Sequence, residues 1–263
     1  NQTVPDTLQL NDAQDIISDA SEMSYDDLSK KIEESSDAIT LESNYKYNDT
    51  NRVNHIEFIN RNVTIDGNNH EIDANGKTFM FKVNGGNLTL KNIVLKNTAD
   101  SAIQLGNCML NTINVTFINT TSKDVGGAVY ARNSEYISIN DKFTDNSAKD
   151  GGSALFASSS KIYIKNATFT NKNPITWSLI YGTSSIIEVL GTTFANTTSR
   201  YATAIYNTGT TRITKSKFIN LSANITAGAI AVKSDDTSFA NLIITECEFT
   251  NIKAARNGGA IYA

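Results

Sequence analysis

Residues 126–171 read GGAVYARNSEYISINDKFTDNSAKDGGSALFASSSKIYIKNATFTN, and they contain one unit written twice. Ala128-Val129-Tyr130 returns 26 residues later as Ala154-Leu155-Phe156, and Phe143-Thr144-Asp145 returns after the same interval as Phe169-Thr170-Asn171. Between these landmarks lie short alternating runs, Tyr136-Ile137-Ser138-Ile139 and Ile162-Tyr163-Ile164. Period-2 alternation with β-branched residues marks strands with one buried face.

The unit extends in both directions. Its Phe-containing half recurs as Leu95-Lys96-Asn97, Phe117-Ile118-Asn119, Phe143-Thr144-Asp145, Phe169-Thr170-Asn171, Phe194-Ala195-Asn196, Phe218-Ile219-Asn220 and Phe249-Thr250-Asn251, at intervals of 22, 26, 26, 25, 24 and 31 residues. Its other half recurs as Ala102-Ile103, Ala128-Val129, Ala154-Leu155, Leu179-Ile180, Ala204-Ile205, Ala229-Ile230 and Ala260-Ile261. The long last interval falls around Lys233-Ser234-Asp235-Asp236-Thr237-Ser238, whose composition suits a loop bulging from one turn. Leucine-rich repeats of this length need a Leu framework, and propeller blades need about 40 residues. A unit of about 25 residues with two or three short strands and Asn/Gly/Ser turns is one coil of a parallel β-helix. The expected fold is all-β, a right-handed parallel β-helix (solenoid) of about nine coils stacked ~4.8 Å apart, with a short N-terminal capping helix.

In such a rod, residues of equal phase stack. Phe117, Phe143, Phe169, Phe194, Phe218 and Phe249 are expected to form an internal aromatic stack continued by Leu95. Asn97, Asn119, Asn171, Asn196, Asn220 and Asn251 are expected to form a ladder at a turn, interrupted by Asp145. Asn92, Asn114, Asn140 and Asn166 form a second ladder. Asn tolerates left-handed backbone and bonds to neighbouring amides, as a tight corner requires.

Composition limits the chemistry. The chain has 263 residues, 40% of them apolar, with 32 Asn, 30 Thr and 24 Ser. No apolar run approaches the ~18 residues of a membrane span, and no secretory leader pattern is present. Residues 1–43 carry 11 acids against Lys30 and Lys31, whereas the rest holds 16 acids and 21 bases without a basic cluster, so nucleic acid is not an expected partner. Cys108 and Cys247 fall in different columns some five or six coils apart, which excludes a disulfide between them, and the two histidines lie outside the regular coils. No cofactor is expected. Ten N-x-S/T sequons, at Asn1, Asn48, Asn62, Asn87, Asn114, Asn119, Asn166, Asn196, Asn220 and Asn224, permit surface glycosylation.

The expected organisation is an acidic leader and helical cap over 1–38, then a β-helix over 39–263 that is cut off in its last coil. Ser24 is placed to cap a helix over 24–36, with Asp27 at its third position and Met23 and Leu28 as a hydrophobic staple. Leu28 and Ile32 should point into the rod. Ile39-Thr40-Leu41 and Tyr45-Lys46-Tyr47 read as the first strands, and His55 to Phe81 as an atypical coil. The half coil at 258–263 carries the expectation that the segment belongs to a longer chain.

The G-G-A-I-Y and F-x-N landmarks resemble the repeats of polymorphic outer membrane proteins. The order of amphipathic helix, I-T-L, V-T-I-D-G-N-N-H-E-I and Asn/Thr-rich coils, over residues 24–263, is similar to adhesin-like proteins of gut and rumen methanogenic archaea. That resemblance implies an extracellular, cell-surface protein, part of a longer surface-anchored chain, whose partners are glycans or surface proteins of other cells. It fixes no functional residue.

Two candidate sites come from the columns themselves. After each inward branched residue, strand alternation sends the next one outward, placing Tyr130, Phe156, Tyr181, Tyr206 and Tyr262 in one exterior column, interrupted by Ala231. Stacked rings offer apolar faces to sugars, so Tyr130, Phe156, Tyr181 and Tyr206 are the candidate ligand-binding residues. The opposite parity would bury them. Asp124 and Asp150, at the same phase beside Lys123 and Lys149, are candidate cation ligands. The rivals to a non-catalytic adhesin are a purely structural stalk and a polysaccharide lyase or hydrolase. The latter needs paired carboxylates on one face, and the paired acids here, Asp235-Asp236, sit in the inserted turn.

Overall fold

The computed structural model describes residues 22–35, 37–234 and 239–263. Successive repeats form successive turns of an all-β parallel solenoid of about eight full turns, against the nine expected. In the regular repeats each turn contributes strands to three stacks. One is a ten-stranded sheet holding the Phe-containing strands, from Met23–Ser24 to Glu248–Ala254. The other two belong to a 16-stranded sheet: short strands such as Val129–Arg132 and Leu155–Ser158, and longer ones such as Glu135–Ile139 and Lys161–Lys165. The two arms join through the 11-residue strands Ile56–Asp66 and Phe81–Lys91. Pairing is parallel and in phase with the repeat: Phe117 lies on Phe143, Phe143 on Phe169, Val129 on Leu155 and Leu155 on Ile180.

The inward positions form one continuous core. Phe117, Phe143, Phe169, Phe194 and Phe218 are fully buried, and their rings stack at 4.4–5.1 Å with interplanar angles of 1–14°. Leu95 continues the column below and half-buried Phe249 above, 4.7 Å from Phe218.

Three corners close each regular turn, and they share a rule. At each, one residue takes a left-handed φ between 47° and 61°: Asn107, Asn133, Ser159 and Ser184 at the first; Asn92, Asn114, Asn140, Asn166, Gly191, Lys215 and Glu246 at the second; Asn97, Asn119, Asp145, Asn196, Asn220 and Asn251 at the third. At several of these corners the following residue turns inward and is polar, and its side chain accepts the backbone N–H of the turn before. Ser134 accepts from Cys108 N, Ser160 from Ser134 N and Ser185 from Ser160 N at 3.1–3.2 Å. Thr192 and Ser216 do so at the second corner, and Asn146 and Thr197 at the third. A left-handed bend interrupts the strand ladder, and the buried amide beyond it needs this substitute acceptor.

Asn171 departs from its expected place. It has no left-handed φ, is buried, and bonds to Asn146 through both its amide oxygen (3.0 Å) and nitrogen (2.6 Å). The stretch from Phe169 to Leu179 is one residue shorter than that from Phe143 to Ala154. The corner residue is the one dropped, so Asn171 moves from the outer ladder to the inner one. Outer rungs link Asn119 to Asn97, Asn114 to Asn92, Asn220 to Asn196 and Asn251 to Asn220, at 2.9–3.1 Å.

The N-terminal end is covered by a helix, Tyr25–Glu34, three residues shorter than the expected span of 24–36. Ser24 and Asp27 form a reciprocal capping box. Tyr25, Leu28 and Ile32 are buried, and the Tyr25 hydroxyl donates to the Met80 carbonyl at 2.6 Å. At the far end of the helix Arg61 donates to the Ile32 and Ser35 carbonyls. The acidic leader before residue 22 and Asp235-Asp236 lie outside the described residues.

Candidate functional site

The outward parity is the one that exposes the rings. Val129–Arg132 and Leu155–Ser158 alternate buried and part-exposed positions, with Tyr130 and Phe156 on the solvent side. Register places Lys82, Gln104, Tyr130, Phe156, Tyr181, Tyr206, Ala231 and Tyr262 in one outward column. The four candidate rings are half-buried and stacked: Tyr130 on Phe156 at 5.7 Å and 3°, Phe156 on Tyr181 at 5.7 Å and 15°, Tyr181 on Tyr206 at 4.8 Å and 20°. Tyr262 is separated from them by Ala231 and is 41% exposed.

Two further aromatic residues join this column from turns outside the repeat motif. Trp177 stands edge-on to Tyr181 (5.7 Å, 89°) and Tyr206 (6.4 Å, 71°), and it stacks on Tyr201 at 4.3 Å. The Arg200 guanidinium lies 5.4 Å from the centre of the Tyr201 ring, within cation–π range. Neither Trp177 nor Tyr201 has an equivalent in other repeats, so periodicity did not reveal them. Their signal is compositional: Trp177 is the chain's one tryptophan. The column thus ends in a corner of rings set at right angles.

Tyr181 lies close over backbone. A Cβ added to Gly151 would come within 3.1 Å of its ring, so glycine at that turn is what lets the ring settle. Burial, with Tyr206 beside it, raises the Tyr181 hydroxyl above its ordinary pKa, keeping it a neutral donor at physiological pH.

Asp124 and Asp150 occupy adjacent turns: the Asp150 amide donates to the Asp124 carbonyl at 2.8 Å, and Val125 bridges Gly151. Both side chains are exposed, and Asp150 pairs with Lys149 at 3.7 Å. Among the described residues no group of three or more His, Cys, Asp or Glu side chains gathers as a metal site. The pair is two solvated carboxylates, one of them already neighboured by a cation.

The acid with the most altered chemistry lies inside the rod. Asp141 follows the corner residue Asn140 and points inward, accepting bonds from Thr112, from Ser138 Oγ at 2.6 Å and from Val115 N at 2.8 Å. Tyr136 closes the cluster through Thr112 at 3.0 Å. Burial pushes the Asp141 carboxyl from 3.8 up to about 6, against the three bonds that favour its charged form. It is 1% exposed and occupies the place taken by Val115 and Ala167 on adjacent turns, so it reaches no substrate. Cys108 and Cys247 are free and half-buried at different corners.

Among the described residues no helix is long and apolar enough to cross a membrane. No known protein family matches the chain, and no curated protein matches it. Among solved structures, one titled "L. reuters 100-23 SRRP" superposes with a TM-score of 0.45 at 16% identity, covering 92% of this chain and 98% of that one.

Proposed function

We propose that this chain is a segment of a cell-surface, adhesin-like protein that attaches to other cells by holding glycans along its exterior ring column, without catalysis. The observation that carries the reading is the column itself. Tyr130, Phe156, Tyr181 and Tyr206 stack at 4.8–5.7 Å on the solvent side of a rigid sheet, and Trp177 and Tyr201 turn the upper end into a corner. Half-exposed rings stacked at a fixed spacing present a row of apolar C–H edges to the C–H groups of successive sugars, and the phenols supply polar groups beside them. Pre-formed rings lose little entropy on binding, which favours weak, repeated contacts of the kind attachment uses.

A purely structural stalk is the second reading. It is favoured by the corner ladders, which recur on nearly every turn irrespective of any ligand. The two readings separate in one experiment. Changing Tyr181 and Tyr206 together to Ala should abolish binding to a glycan array and to intact cells, with the β-sheet circular dichroism unchanged. Equal binding by the double variant would remove the column from the site, and no binding by the unaltered protein would favour the stalk.

A further inference from the structure

We propose that the cleft at the lower end of the ring column receives an acidic sugar, one bearing a carboxylate or a sulfate. This rests on the glycan reading above and names the class of glycan. The cleft has a volume of about 370 Å³, and its walls include Lys82, Asn84, Gln104, Tyr130, Arg132 and Asn133.

Register explains why a cleft exists there. Asn84, Gly106 and Arg132 succeed one another in one outward column, so the middle turn contributes no side chain between two long polar ones. A Cβ at Gly106 would lie 2.9 Å from Asn84 Oδ1, which already leans over the glycine floor. In the adjacent outward column Lys82, Gln104 and Tyr130 succeed one another, so the floor is bounded by the first ring of the aromatic column. A glycan lying on Tyr206, Tyr181 and Phe156 and continuing past Tyr130 runs onto this floor.

Charge then selects the ligand. Lys82 is paired with Glu57 at 2.9 Å. Arg132 is exposed and, among the described residues, makes no ion pair. A guanidinium presents a planar fork of donors that fits the paired oxygens of a carboxylate or sulfate. The Asn84 nitrogen already donates to Glu57 at 2.9 Å, which leaves its oxygen as an acceptor, and the amides of Gln104 and Asn133 offer donors and acceptors to the hydroxyls of the same sugar. A neutral sugar can use the amides and the ring but leaves the cation unmatched.

The test compares matched hexasaccharides by calorimetric titration: chondroitin, which carries only carboxylates; chondroitin sulfate, which carries both groups; and carboxyl-reduced chondroitin, which is neutral. They are run alongside an array of neutral, uronate-bearing and sulfated glycans. At least one acidic oligomer should bind about tenfold more tightly than the neutral one, the scale of one charge-assisted contact. The advantage should fall with added salt and disappear in Arg132→Gln, whose circular dichroism should match the parent. Chondroitin against the neutral oligomer reads the carboxylate, and chondroitin sulfate against chondroitin reads the sulfate. If the neutral oligomer binds equally well, or Arg132→Gln keeps the preference, the inference is overturned while the glycan reading stands, provided Tyr181→Ala with Tyr206→Ala still abolishes binding. If no glycan binds at all, both are overturned.

Discussion

At the scale of single residues, Asp141 carries a pH dependence whose sign follows from its environment. The folded chain holds this carboxyl's proton up to about 6, whereas its ordinary value is 3.8. Between those values the native state binds more protons than the unfolded state, so stability falls as pH rises. The contribution is fully present below about 4 and lost above about 6, a change of about 2–3 kcal/mol. Asp141→Asn keeps the acceptor for the Val115 amide and removes the buried charge. Its unfolding midpoint should exceed the parent's at pH 8, approach it at pH 4 and lose the slope between; an unchanged slope would place the titration elsewhere. The same paragraph of sequence shows what single residues conceal. Asn97 and Asn119 are legible as corner residues because Asn repeats in phase. Ser159 and Ser184 take the same left-handed bend without the Asn signature, and the first corner therefore stayed hidden. Asn171 misled for the opposite reason: it has the expected residue type, but a deletion of one position turned it inward.

At the scale of elements, the strands and the Asn corners were legible and the turns before each short strand were not. Strand positions obey two constraints at once, alternation within a turn and identity between turns, and Phe117 to Phe249 satisfy both. The turns before each short strand obey neither. Trp177 and Tyr201 lie there, brought against Tyr206 by the path of the chain and not by period. The helix was readable from local chemistry alone, since a capping box and an apolar i, i+3, i+7 face need no tertiary context. Its worth lies in contact with the rod: Leu28 is fully buried against the first turns. Leu28→Ala should cost about 2–5 kcal/mol. In a stack where each turn touches its neighbours, that loss should stay local. Hydrogen exchange should quicken in Ala38–Thr40 and Ile56–Asp66 and remain unchanged in Ile205–Asn207. Uniform quickening along the chain would show a more cooperative rod than nearest-neighbour contacts allow.

At the scale of the whole molecule, one feature sets the response to load. Strands of successive turns pair in parallel, so the backbone hydrogen bonds between turns point along the rod. Tension applied at the two ends pulls along those bonds and reaches them a few at a time, as a zipper does, in contrast to a sheet sheared along its strands. Each turn that peels away frees about 25 residues, or roughly 85 Å of chain at ~3.4 Å per residue. Drawing single molecules out by their ends should give a row of low, evenly spaced force peaks at about that interval; one large rupture would contradict the picture. A tether built this way yields in instalments. Should it attach as proposed, a passing drag would lengthen it and dissipate work before the attachment itself is loaded, and the turns still stacked would offer a template on which the freed chain can rewind.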